Sequence, residues 1–183
     1  MLTKEQAIEI FTDAGALMEG HFKLTSGRHS NRYMQCAQVL QYPDRTEKLA
    51  RHLAEQFGGQ QIDYVIGPAM GGIIVAYEVA RQLKVPGMFT ERQEGAMALR
   101  RGFTLQPGDR VLVVEDVVTT GGSVVEVMDV VRQLGGTVAG VGVLVDRSGG
   151  KVDFGVPMRA VLSLDIESWE AEDCPLCREG QGE

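Results

Sequence analysis

Short apolar runs alternating with amphipathic helical stretches constrain this chain more than any other feature. Residues 64–66 read as a strand, 71–83 as a helix, 85–89 and 111–114 as strands, 122–134 as a helix and 138–145 as a strand. Strand–helix alternation imposes right-handed crossovers and a mostly parallel sheet. The strand segments are continuous Val/Ile/Leu runs with no polar alternation, the pattern expected when helices cover both faces. The predicted fold class is therefore α/β, a central mostly parallel sheet flanked by helices.

The flanking segments are less regular. Thr3 and Gln6 form a capping box ahead of a helix whose apolar face is Ala7, Ile8, Ile10, Phe11 and Ala14, ending at Gly15. Residues 20–35 read as extended pieces at 22–24 and 33–35 around a turn at 25–30. Pro43 opens a further helix with Leu49, Ala50, Leu53 and Phe57 on one face, closed by Gly58-Gly59. Residues 161–166 predict a last strand.

At 183 residues the chain is expected to form one domain. Its formal charge of −7, with no Lys/Arg-rich stripe, argues against a nucleic-acid partner. The first eleven residues are amphipathic and carry Lys4, Glu5 and Glu9, unlike a secretory signal. The longest apolar stretches, such as 138–145, are strand-length and broken by glycine, far short of the roughly 20 residues of a membrane span. No membrane partner and a cytoplasmic location are expected. Three cysteines make no disulfide framework in a chain of this size. Cys174 and Cys177 form a C-x-x-C, but His21, His29 and His52 lie at no zinc-site spacing from it, so structural or incidental roles are favoured over zinc or redox chemistry.

The chemistry concentrates after the strand at 111–114. Glu115-Asp116 places two carboxylates at the C-terminal edge of that strand, where open α/β sheets bind ligands. Thr119-Thr120-Gly121-Gly122-Ser123 follows, and its glycines let backbone amides converge on an anion while the next helix contributes its positive end. Neither a Walker A sequence nor a G-x-G-x-x-G helix opening is present. An acidic pair ahead of a phosphate loop suits a ligand with a diol and a phosphate close together, a ribose 5-phosphate.

Val111-Leu112-Val113-Val114-Glu115-Asp116-Val117-Val118-Thr119-Thr120-Gly121-Gly122-Ser123 resembles the motif of type I phosphoribosyltransferases that binds 5-phosphoribosyl 1-diphosphate (PRPP). Gly67-Pro68-Ala69-Met70-Gly71-Gly72, after the strand at 64–66, is similar to that family's pyrophosphate loop. Within the family the resemblance, covering nearly the whole chain, narrows to the orotate phosphoribosyltransferases. Residues 21–30 with Tyr33 look like their N-terminal hood, and Asp146-Arg147 like their Asp-Arg, whose arginine pairs with the orotate carboxylate. A guanidinium fork does recognise a planar carboxylate with two parallel hydrogen bonds. Thr119 is the matching orotate contact from the phosphate loop.

The resemblance implies the type I fold, with a hood over about residues 1–40 plus the C-terminal segment and a core over about 41–165. It implies transfer of phosphoribose from PRPP to orotate, giving orotidine 5′-monophosphate and pyrophosphate, with Glu115 and Asp116 beneath the ribose and Mg²⁺ held mainly by the substrate rather than by a dedicated ligand set. A homodimer whose mobile loop reaches the neighbouring site is implied as well. The loop between Phe89 and Gly102 departs from the family in having no Lys and no His. Arg92 aligns with the Lys of the family's Arg-Lys pair, Gly95 or Ala96 falls near the second Lys, and Arg100 or Arg101 are the alternatives for the missing charge. The family's hood lysine falls at Thr25, with Lys23 two residues earlier. A purine-type phosphoribosyltransferase and a PRPP-binding regulatory protein are the competing readings; the first has no use for Arg147, the second calls for a basic surface.

Overall fold

The computed structural model describes residues 1–24 and 26–180; Thr25, one of the two hood candidates, lies outside them. The chain runs α1 (Lys4–Asp13), β1 (Leu17–Lys23), β2 (His29–Met34), α2 (Ala37–Leu40), α3 (Pro43–Glu55), β3 (Tyr64–Pro68), α4 (Gly71–Leu83), β4 (Gly87–Gln93), β5 (Ala96–Leu99), β6 (Arg110–Val118), α5 (Gly122–Gln133), β7 (Thr137–Asp146), β8 (Met158–Ser163), β9 (Ser168–Trp169), a short 3₁₀ turn (Ala171–Asp173) and α6 (Pro175–Arg178). The capping box forms: the Gln6 amide donates to Thr3 Oγ1 at 3.2 Å and the Thr3 amide to Gln6 Oε1 at 2.9 Å.

Six strands make the central sheet in the order β5-β4-β3-β6-β7-β8. β4, β3, β6, β7 and β8 are mutually parallel, as the alternation of elements requires, and β5 alone runs antiparallel, to β4. Consecutive residues of β6 feed opposite cores. Leu112 and Val114 join α3 and α4 on one face through Leu49, Leu53, Val75 and Val79. Val111 and Val113 join α5 on the other through Val124, Val127, Met128 and Val131. Two covered faces explain why the strand sequences carry no polar alternation.

A second sheet, β1-β2-β9, is antiparallel and joins the N-terminal hood to the C-terminal segment. Arg28 fastens it, donating from Nε to Ser168 Oγ at 3.0 Å and pairing with Glu170. Two sequence expectations are corrected here. The turn expected at 25–30 is tighter, because β2 already begins at His29. The lid expected as a charged loop between Phe89 and Gly102 is a β4–β5 hairpin, turned at Glu94-Gly95 with φ of +51° and +86°. Positive φ at both central residues is the geometry that follows strand twist, usually signalled by Asn-Gly, so a Glu in the first position hid it.

Candidate active site

β6 ends at the point where the chain must both terminate a buried strand and start a helix. Glu115 closes the unbroken buried stretch from Val111, Asp116 and Val117 are half-exposed at the sheet edge, and Val118 is buried again. The Asp116 amide donates to Glu115 Oε1 at 3.1 Å and the Val117 amide to Asp116 Oδ1 at 2.7 Å, so each carboxylate is turned by the backbone that follows it. Burial, and then the neighbouring Asp116 charge, push the Glu115 carboxyl well above its ordinary range, to about 8.

Thr119 and Thr120 are exposed beyond the strand, and Gly121 adopts φ +81° as the cap of α5. A side chain on Gly121 would strike Phe154 at 2.8 Å and Val152 at 3.0 Å, whereas one on Gly122 would meet nothing within 4 Å. The loop is thus braced from below and open above. The first amides of a helix have no acceptor within it, and in α5 they belong to Gly122, Ser123 and Val124 with no acidic residue in that turn. These residues line a cavity of ≈ 370 Å³ together with Glu115, Val117, Val118, Thr119, Thr120, Gly121, Arg92 and Glu126. The expected phosphate loop thus forms one wall of an open, mostly polar cavity.

Arg92 comes to this cavity from the hairpin and is held there by Glu126 of α5, at 2.7 Å and 3.3 Å, and by the Gly95 carbonyl at 3.0 Å. Of the cationic candidates near the lid, it alone lines the cavity. Arg101 pairs with Glu91 at 2.9 Å and Arg100 with the same carboxylate at 3.6 Å, and neither lines the cavity. Lys23 is exposed at the end of β1 and does not line the cavity.

The second loop, Pro68-Ala69-Met70-Gly71, leaves β3 and enters α4 with a cis Ala69–Met70 peptide. It is folded onto the acidic pair: a Cβ on Gly71 would lie 2.4 Å from Asp116 Oδ2, and one on Gly72 3.2 Å from Glu115 Oε1. The Ala69 amide is taken by the Thr90 carbonyl at 2.7 Å, while Thr90 Oγ1 is buried with no partner among the described residues. Thr90 was missed in the sequence because an isolated threonine in a strand carries no signal. Met70, Gly71 and Asp116 also line a smaller, mostly apolar cavity with Ala37, Leu40 and Ile74, so the hood helix α2 reaches the same edge. Cys36 is buried there, 3.8 Å from the Asp116 carbonyl, its thiol pushed up first by burial and then by the Asp116 charge.

Arg147 follows β7, and its amide donates to the Val118 carbonyl at 2.8 Å, which fixes it beside the start of the phosphate loop. Its Nε is buried with no hydrogen-bond partner among the described residues. Leaving a buried guanidinium nitrogen unpaired costs about 1–3 kcal/mol or more. Arg147 is outside the lining of the larger cavity and stands at the sheet edge behind it.

The family profile described as "Phosphoribosyl transferase domain" matches residues 37–170. Among curated relatives, the orotate phosphoribosyltransferase of Pelotomaculum thermopropionicum is 62% identical over 98% of this chain and 94% of its own length. Among solved structures, orotate phosphoribosyltransferase from Aeropyrum pernix superposes with a TM-score of 0.68 at 32% identity, covering 85% of this chain and 92% of that one. The adenine phosphoribosyltransferase from Thermoanaerobacter pseudethanolicus shares the fold alone, with a TM-score of 0.63 at 19% identity over 73% of this chain and 88% of that one. Fold likeness extends to enzymes named for different bases.

Proposed function

The chain belongs to the orotate phosphoribosyltransferases, and on that premise we propose that it transfers the 5-phosphoribosyl group of PRPP to orotate, giving orotidine 5′-monophosphate and pyrophosphate in pyrimidine biosynthesis. The observation that carries this reading is the acidic pair Glu115-Asp116, its first member buried and its second at the sheet edge, running directly into the cavity at the start of α5. In this reading the amides of residues 121–124, with the Thr119, Thr120 and Ser123 hydroxyls, hold the 5-phosphate. Glu115 and Asp116 hold the ribose hydroxyls; Asp116 sets negative charge beneath the ribose ring, and Glu115 adds to it only as pH rises through about 8.

Orotate N1 attacks C1′ with inversion as the bond to pyrophosphate breaks, the N1 proton passing to the departing pyrophosphate or to solvent, and positive charge develops on the ribosyl ring. The carboxylate field then strengthens most in the transition state, which raises kcat rather than affinity. The 68–71 loop and Arg92 receive the leaving pyrophosphate, and the hairpin excludes water from the reactive centre. Arg147 takes the orotate carboxylate with its fork, and Thr119 adds a contact from the phosphate loop. The buried, unpartnered Nε of Arg147 supports orotate over a purine, which presents no carboxylate to fill it.

Hard carboxylate oxygens beside a polyanion suit Mg²⁺ held chiefly by the substrate's own oxygens, with Glu115 and Asp116 as the nearest protein groups. When bound it supplies neutralisation of the diphosphate. Exposed Met70, Ile74 and Tyr77 on and before α4, with Tyr42 ahead of α3, supply the apolar face of a homodimer. Arg92 lies at its own chain's cavity, so mixing Arg92 and Arg147 variants decides whether the hairpin also serves a neighbour: restored activity requires a shared site. No disulfide joins cysteines among the described residues, which accords with a reducing, cytoplasmic setting.

The decisive assay is pyrophosphate release from PRPP with orotate, adenine, guanine or xanthine. Release with orotate alone, together with formation of orotidine 5′-monophosphate, is the expected result. Turnover with a purine instead, or none with any base, overturns the reading.

A further inference from the structure

Four side chains far from the phosphate cradle meet at one point on the hood. His21 of β1 and His29 of β2 bring Nε2 and Nδ1 to 2.8 Å of one another. Cys174 caps α6 and Cys177 lies within it, and their sulfurs are 3.5 Å and 3.6 Å from His21 Nε2, with Cys177 Sγ 3.2 Å from His29 Nδ1. All four donor atoms fall within 4.8 Å of each other. A tetrahedral zinc with Zn–N of about 2.0–2.1 Å and Zn–S of about 2.3 Å has edges of roughly 3.3–3.8 Å. The three Cys–His separations lie at or near that range, and the 2.8 Å His pair and the widest pair, within 4.8 Å, reach it with side-chain shifts of about half to one ångström.

The local structure is shaped to bring them there. Register shifts between Glu19 and Phe22 of β1, a bulge that takes in His21, while His29 opens β2 opposite Lys23. Bulges re-aim side chains in this way. The C-x-x-C spacing turns both thiols to one side of the single helical turn of α6. His21, His29 and Cys174 are buried, and only Cys177 is exposed.

Packing alone gives the C-terminal segment little to hold it. Neither the 3₁₀ turn nor α6 buries a residue of its own, and β9 contributes only two residues to the hood sheet. Thiolate and imidazole donors together select zinc over the hard cations that carboxylates prefer. Four protein ligands leave no open position, the signature of a structural rather than a catalytic site.

We propose that His21, His29, Cys174 and Cys177 bind one zinc ion that fastens the C-terminal segment to the hood sheet. The sequence concealed the site because its two halves are 153 residues apart, from His21 to Cys174. The ligands must lose their thiol protons on binding, so metal affinity falls in acid.

The test uses the full-length chain carrying no affinity tag, purified without chelator. Elemental analysis is expected to find about one zinc per chain, and the Cys174→Ser/Cys177→Ser protein less than about a tenth of that. Replacing zinc by Co²⁺ should give the intense visible bands of a tetrahedral thiolate site, lost in Cys177→Ser alone. Cys177 is exposed, so that single variant is expected to fold even where the double variant fails. Chelation should lower the melting temperature of the wild-type chain and zinc should restore it. Metal-free wild-type protein that gives no Co²⁺ bands on titration, with both thiols open to alkylation, would show a hydrogen-bonded cluster and overturn the proposal. None of these readouts depends on orotate turnover, so the outcome is independent of the enzymatic reading.

Discussion

Gly71 and Asp116 are packed so closely that a single methyl group on the first would lie 2.4 Å from the carboxylate oxygen of the second. Two loops from adjacent parallel strands therefore share one surface, the acidic pair of β6 forming the wall on which the 68–71 loop rests. Gly71→Ala should displace the Asp116 carboxylate with little change in the core. We expect kcat to fall by about tenfold or more with a stability loss of roughly 1–3 kcal/mol, the usual range for overpacking. Asp116→Asn should depress kcat far more than PRPP affinity, because its charge acts on the developing cation. Equal loss in kcat and affinity for Asp116→Asn would reduce the pair to a binding role.

Glu115 makes stability depend on pH in a defined direction. Its carboxyl in the folded chain is raised to about 8 by burial and by Asp116, whereas the unfolded chain has an ordinary carboxylate. The folded state thus binds the extra proton, a stabilisation fully present below the unfolded value and lost as pH rises through about 8. Glu115→Gln, which cannot ionise, should be more stable than wild type above that pH by about 1–3 kcal/mol and lose this advantage in acid. Melting curves of both proteins from pH 5 to 9 check the crossing, and parallel curves would remove the buried charge from the account.

Arg147 should govern orotate and leave PRPP alone. Hydrogen bonds to charged groups contribute about 1.5–3 kcal/mol, so Arg147→Ala is expected to raise the orotate KM by roughly 10- to 150-fold. Arg147→Lys should restore little of it, since a point charge lacks the planar fork. Initial-rate kinetics with each substrate varied in turn separate the two constants; a matching rise in the PRPP KM would place Arg147 on the phosphate loop instead.

The Arg92–Glu126 pair gives opposite expectations for its two members. Both side chains are about half-exposed, so breaking the pair should change stability by less than about 1 kcal/mol. Glu126 nevertheless puts a carboxylate on the rim of an anion site. Glu126→Gln should lower the PRPP KM by about two- to fivefold through reduced repulsion, and Arg92→Gln should raise it and slow pyrophosphate release. Movement of both variants in the same direction would mean that the pair acts only as a strut.

Much of this was legible in the sequence, because the fold depends on patterns local to a few residues. The helix at Gly71–Leu83 and the start of α5 at Gly122 follow from apolar spacing and glycine, and the β6 run from its unbroken apolar stretch Val111 to Val114. What was hidden depends on non-local pairing. β9 is two residues long and exists only because His29 and Ser30 lie opposite it. The β4–β5 hairpin turns on a Glu at positive φ, which local preference disfavours. Thr90, Glu126 and the histidine–cysteine cluster are placed by tertiary contact, and no spacing along the chain announces them.

Gly121 rests on Phe154 and Val152, residues of the connection between β7 and β8 that do not line the cavity. The floor of the phosphate cradle therefore belongs to two residues to which no catalytic or binding role falls, in the same connection that carries Arg147. Changes in bulk at those two positions can raise or lower the cradle by fractions of an ångström while every ligand-contacting group is kept. Such positions give evolution, or an engineer, a dial for substrate affinity that is separate from the chemistry.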